Sequence, residues 1–239
     1  MEMVAAVPDR ASCAPFLGKG GTLIPRSVEA MFDEEFEASC ALASCLADDQ
    51  WTVPSLCPGW TVRDVVVHLA YHTHRSGLKE ILPNLDKTTA MMVEREDASS
   101  RDGLLRWLSS RPAAAERKSR GTLAELVIHQ QDIRRPLALP RGYPEDALRS
   151  SLDLCTTRSG NIFVIDRRFR LGRGLRLVAT DLDWTFGKGP EVRGTAEALL
   201  MAIAGRRCVI SELEGDGVGL IDHRLRAQPP SSSASADPA

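Results

Sequence analysis

Residues 120–137 read RGTLAELVIHQQDIRRPL, and within this stretch two metal-ligand residue types, Glu125 and His129, stand four positions apart. The segment reads as a helix on grounds unrelated to metal. Gly121 breaks the preceding run, Thr122 can cap, Leu123, Leu126, Val127 and Ile133 recur at helical spacing, and Pro136 ends the segment. Side chains four apart on a helix stack one above the other, so Glu125 and His129 can reach one point in space. Asp132, three residues after His129, is placed either to orient an imidazole or to salt-bridge an arginine. The same residues admit a plainer reading: Thr122 and Glu125 fit a capping box, in which Glu125 returns a hydrogen bond to the helix start. A metal site here needs a third ligand from elsewhere.

Residues 55–70, SLCPGWTVRDVVVHLA, supply a candidate. Pro58 and Gly59 make a turn, Thr61 and Asp64 fit a capping box, and Trp60 can pack on Val65 as a hydrophobic staple. Down that helix Val65, His68, Leu69 and His72 share one face, which points His68 into whatever Val65 and Leu69 bury. A histidine on an apolar face is more often a hydrogen-bonded core residue than a ligand. His72 and His74 stand near the helix end and read as solvent-facing, although His68 and His72 are themselves an i, i+4 pair.

A chain of 239 residues buries a sizeable core and suggests two domains. A formal charge of -2 and a pI near 6.2 give no general attraction to nucleic acid or acidic membranes. No apolar run is long enough to span a bilayer, and Asp9 and Arg10 interrupt the N-terminal segment where a signal peptide would be continuous, so a cytoplasmic location is expected. Six cysteines without CxxC pairs indicate neither a disulfide framework nor a thiolate zinc site; each, Cys57 included, reads as a reduced, packed residue. The excess of arginine over lysine suits a GC-rich genome.

Taken in order, residues 1–24 read as a flexible extension, whose GKGG lacks the context of a phosphate loop. Ser27 can cap a helix that ends near Asp49, with Glu29, Asp33, Glu34 and Glu35 near its start, where the helix dipole favours them. Residues 76–118 hold one or two further helices, one around Trp107, and the charged run Glu94 to Asp97 reads as a solvated face. With the helix at 122–135, residues 25–142 form a four-helix bundle, the kind of core in which facing helices build metal sites. A helix follows at 144–158. Beyond Gly160 the period changes: IFVID, GLRLVATDLDWTF and PEVRG are β-rich, and residues 195–206 form a helix ended by Gly205, giving a small α/β domain over 143–226. Residues 227–239 read as a disordered tail. The fold class is α+β.

The motifs LCPGWTVRDVVVHLA (56–70), ELVIHQQDIRRPL (125–137), LRLVATDLDW (175–184) and VRGTAEALLMAIAGR (192–206) together resemble the mycothiol-dependent maleylpyruvate isomerase family of the DinB-like superfamily, over residues 25–225. The resemblance implies an N-terminal DinB-like four-helix bundle and a C-terminal domain like a sterol carrier protein. It implies His68, Glu125 and His129 as ligands of a divalent metal, zinc above all, and mycothiol as the thiol cofactor, with an actinobacterial source. It also implies a functional arginine in the C-terminal domain, which maps to Arg206, with Arg193 and Arg207 nearby. Residues 1–24, His72 and His74 fall outside the family pattern.

Two histidines and one carboxylate leave an open coordination position, the composition of a catalytic rather than a structural zinc site. A thiol entering there loses its proton to the cation's charge. The implied partners are that small-molecule thiol and an electrophilic substrate such as maleylpyruvate, with no nucleic acid and no membrane. The reaction is then isomerisation, by addition to a cis double bond, rotation and elimination, or S-transfer to the electrophile. Arg206 suits the carboxylates of such a substrate. Iron(II) uses the same donor set. A non-catalytic metal-binding or ligand-binding module, or a structural role for all three residues, also fits the sequence.

Overall fold

In a computed structural model of the chain, the described residues are 26–74, 100–110, 112, 114–156 and 171–227. The readings of residues 1–24, of the Glu94 to Asp97 run, of IFVID and of residues 228–239 lie outside them. The architecture is helical with one small sheet, and α1 is Val28–Cys45, α2 Val62–His74, α3 Arg101–Leu108, α4 Ala114–Arg117, α5 Arg120–Arg134, α6 Glu145–Thr156, α7 Ala196–Ile203 and α8 Val218–Arg226. Strands β1 (Arg176–Ala179), β2 (Thr185–Gly187) and β3 (Glu191–Gly194) lie in the order β2-β1-β3, with β1 antiparallel to β2 and parallel to β3. None of the described helices is long and apolar enough to cross a membrane.

Local chemistry sets most helix starts. Ser27 accepts from the Ala30 N–H at 3.1 Å and opens α1. Thr61 and Asp64 bond each other's backbone N–H, at 2.8 and 3.3 Å, and open α2. The start of α5 differs from the sequence reading. Ser119 caps it, accepting from the Thr122 N–H at 3.2 Å, so Thr122 sits inside the first turn and its hydroxyl donates to Glu116. The Thr122–Glu125 box therefore does not form, and Glu125 faces other partners. The first helix also stops earlier than expected, at Cys45, because Gln50 accepts from the Ala47 N–H and starts a separate 3-10 turn over Asp48–Thr52.

The acids of α1 serve as ion-pair partners rather than as dipole ligands. Asp33 and Glu29 bind Arg117, Glu34 binds Arg26, and Glu35 is wholly buried against Arg141. Arg26 also grips Asp146 at the start of α6 through two 2.6 Å bonds, joining α1 to α6.

Helix α5 is buried on nearly every side. Leu126 and Ile133 join Phe32, Leu42, Val66, Leu69, Leu104 and Leu108 in the bundle core. Leu123, Val127 and Ile128 join Leu148, Leu152, Leu177, Val192 and Leu199 in a second core beneath the sheet. A helix apolar on both faces belongs in the interior, and α5 contributes to both cores, as α1 does through Met31 on one side and Phe32 and Leu42 on the other.

Both ends that matter for the site are Schellman turns. At α7 the Arg206 N–H bonds Met201 O at 2.9 Å, the Gly205 N–H bonds Ala202 O at 3.0 Å, and Gly205 takes φ +94°. At α5 the Leu139 N–H bonds Arg134 O and the Ala138 N–H bonds Arg135 O, but the left-handed position, φ 52°, is held by Ala138. An L-residue pays about 1–2 kcal/mol there and the exposed methyl packs on nothing that would offset it. Ala138→Gly is expected to raise stability by about 1 kcal/mol in denaturant unfolding.

Candidate metal centre

Helices α2 and α5 face each other, and three side chains meet between them. His68 Nε2 lies 3.3 Å from Glu125 Oε2, and His129 Nε2 lies 2.9 Å from the same oxygen. Ligand atoms of a tetrahedral site with metal–nitrogen distances of about 2.0–2.1 Å stand roughly 3.3 Å apart, so these three need little adjustment to share one cation. The two imidazole rings are 4.5 Å apart at their centroids, and Trp60, 5.1 Å from the His68 ring, walls the other side. His68 and His129 are buried, while the Glu125 side chain keeps 30% of its surface exposed and marks the open side of the cluster.

A second group of metal-ligand types overlaps the first: Cys57, His129 and Asp132 also lie close together. That group already holds a cation, the Arg206 guanidinium, whose Nε and Nη2 bind the two Asp132 oxygens at 2.8 and 2.5 Å. The two groups use opposite nitrogens of His129. Nδ1 faces Asp132 Oδ2 at 2.8 Å and Nε2 faces Glu125 Oε2 at 2.9 Å; because a carboxylate only accepts, both nitrogens carry a proton in the metal-free ring, and a cation at the Nε2 side would displace the Nε2 proton. Of the two groups, His68, Glu125 and His129 is the one that Arg206 does not occupy, and these three could hold a divalent ion.

The electrostatics agree. Burial pushes the Glu125 carboxyl up, but hydrogen bonds from His129 and His68 and the nearby charge of His72 hold it well below the usual carboxylate range. For Asp132, burial is likewise outweighed by the Arg206 charge and the His129 hydrogen bond, which keep it ionised. Burial opposes protonation of His129, yet Asp132, Cys57 and Glu125 raise its pKa well above that of a free imidazole. The two carboxylates are met by the Arg206 guanidinium and by the His129 imidazolium, so a cation at the Nε2 side would take the place of the proton that His129 shares with Glu125.

Residues 32–119 match the model of the mycothiol maleylpyruvate isomerase N-terminal domain. That part of the bundle is similar to that domain. The matched span of the isomerase-type domain includes His68 and ends before α5, so Glu125 and His129 stand outside it. A crystal structure of a histidine-to-alanine variant of the mycothiol-dependent maleylpyruvate isomerase shares the fold, with TM-score 0.51 and 12% identity over 85% of this chain and 94% of that one. A second structure of the isomerase aligns over the same shares with TM-score 0.49 and 12% identity. No curated protein matches the chain.

Three residues near this cluster escaped the sequence reading. His72 is half-buried rather than solvent-facing, its ring 4.2 Å from that of His68, because one helical turn of α2 brings both onto the face that meets α5. His74 is also turned inward: its ring nitrogens bond Ala70 O at 2.7 Å and Ser110 Oγ at 2.8 Å, tying the end of α2 to the segment after α3. Cys57, read as packing, contacts both Asp132 and Arg206, at 3.2 and 3.3 Å. The Pro58–Gly59 turn brings it there, with the Leu56 N–H bonded to the Asp132 carbonyl at 3.1 Å. The i, i+4 spacing of His68 and His72 was the only sequence signal for any of these contacts. Of the expected site residues, His68, Glu125 and His129 converge; Arg206 arrives at the Nδ1 side of His129, across the ring from Glu125.

Proposed function

We propose that this protein is a metal-dependent enzyme that uses a low-molecular-weight thiol, mycothiol, to isomerise or accept a small electrophile of the maleylpyruvate type. The observation that carries the reading is the convergence of His68, Glu125 and His129 between α2 and α5, inside a bundle that matches the isomerase N-terminal domain. These three residues would hold the cation, zinc in this proposal, with a position left open on the Glu125 side. When bound, the cation would supply Lewis acidity that lowers the pKa of an entering thiol into the neutral range. His129 would keep its Nδ1 proton on Asp132 and turn Nε2 to the cation on losing the proton it shares with Glu125, and His68 approaches from α2. Trp60 and the buried flank of α2 exclude water from one side. A sterol-carrier-like character of the C-terminal α/β part belongs to the same proposal.

The test is calorimetric titration of the zinc-reconstituted chain with mycothiol in two buffers of different ionisation enthalpy. About one equivalent of thiol binds and about one proton is released per binding event. Maleylpyruvate is then added: recovery of mycothiol unchanged marks isomerisation, and its stoichiometric consumption marks S-transfer. A loaded protein that binds no thiol would sink the enzyme reading and leave a metal-binding module.

A further inference from the structure

We infer that Asp132 is a positioning residue for His129, clamped by Arg206 and the Cys57 thiol, so that the turn after α7 sets how tightly the centre holds its cation. The inference rests on the metal reading above and names what regulates that site.

Asp132 is fully buried and makes four hydrogen bonds. Its Oδ1 accepts from Arg206 Nε at 2.8 Å; its Oδ2 accepts from His129 Nδ1 at 2.8 Å, from Arg206 Nη2 at 2.5 Å and from the Cys57 thiol at 3.2 Å. A carboxylate that receives the Nδ1–H of a ligand imidazole fixes the ring's tautomer and orientation and raises the basicity of the other nitrogen. Such a carboxylate is stable in the interior only if its charge is met, and Arg206 meets it. The guanidinium is largely committed within the protein. Its remaining contacts go to the Ala204 carbonyl and to Cys57 Sγ, so four of its five N–H groups are used, and its side chain is only 5% exposed. Arg206 therefore acts through Asp132 on His129 and not on the reacting molecule.

Sequence-distant elements build this clamp. Arg206 lies 74 residues after Asp132 and reaches it because Gly205 turns the chain at the end of α7. Cys57 lies 75 residues before it, on the turn that enters α2. The same carboxylate thus reads the packing of α2, α5 and α7 at once.

The test uses the full chain and measures zinc affinity by competition with a chromophoric chelator, beside the visible absorption of the cobalt(II)-loaded form. An amide at position 132 carries no charge and has one accepting oxygen in place of two, so its NH2 must face either Arg206 Nε or the His129 Nδ1–H. Asp132→Asn is expected to weaken zinc binding about 10–100-fold and to alter the cobalt spectrum. Because that variant also strands the Arg206 charge, the double variant Asp132→Asn/Arg206→Gln is measured as well. It is expected to regain thermal stability and yet remain weak in zinc binding, a split that a merely structural role would not produce. Wild-type affinity in Asp132→Asn, or recovery of affinity together with stability in the double variant, would overturn the positioning role while leaving the metal centre intact. A wild-type chain that binds neither zinc nor cobalt would overturn both readings.

Discussion

Alanine at His129 is expected to abolish retention of a divalent cation, and with it all stabilisation by metal. In the wild-type chain, free zinc at about 100 times its dissociation constant should add roughly 2.7 kcal/mol to the unfolding free energy, because the cation binds only where His68, Glu125 and His129 are assembled. The measurement is the difference in unfolding free energy between zinc-loaded and chelator-treated protein, with metal content read by elemental analysis. His68→Ala and Glu125→Ala should abolish the same difference. His129→Ala leaves the Arg206–Asp132 pair in place, so its chelator-treated form should still fold. If the three residues serve only as caps and core, each variant loses the same stability with and without metal, and the wild type shows no zinc-dependent gain. That outcome would remove the metal centre and every step built on it.

Arg141→Ala is expected to destabilise the protein by about 3–5 kcal/mol. Arg141 binds both Glu35 oxygens, at 2.5 and 2.9 Å, and Glu35 is 0% exposed. Gln130 completes the network, donating to Glu35 Oε2 and accepting from Arg141, each at 2.9 Å. Removing the guanidinium leaves a carboxylate buried between α1 and α5 without a counter-charge, which costs far more than the pair contributes relative to apolar residues of the same size. The double replacement Glu35→Leu/Arg141→Met should therefore recover most of the loss in denaturant unfolding. A loss under about 1 kcal/mol for Arg141→Ala would mean that water reaches Glu35 and that the pair behaves as a surface bridge.

The sequence already carried the features that depend on near neighbours along the chain. The Thr61–Asp64 box and the Ser27 cap are relations over three residues, and both form as read. The i, i+4 spacing put Glu125 and His129 on one face, and the glycine at 205 marked the end of α7. Even local rules failed where two of them competed. Ser119 and Thr122 are both good caps, and the choice fell to Ser119, which drew Thr122 into the helix and left the Glu125 carboxylate to the histidines. Glu35 looked like one of four dipole-matched acids until burial against Arg141 set it apart.

What the sequence by itself determined is therefore most of the helices, several of their starts, and the donor types that two of them carry: histidines on α2, a glutamate and a histidine on α5. Periodicity and capping are properties of a single segment and need no partner to be expressed. Tertiary structure alone decided that His72 and His74 turn inward and that Arg206 lies behind His129 rather than beside Glu125. It alone decided that Cys57 and Asp132 join that arginine. The physical reason is that the His74–Ser110 and Cys57–Arg206 contacts span 36 and 149 residues, and that the His72 ring, one turn from His68, is turned inward by what α2 packs against, a geometry fixed by two apolar cores that meet on α1 and α5 and by no local pattern in the chain.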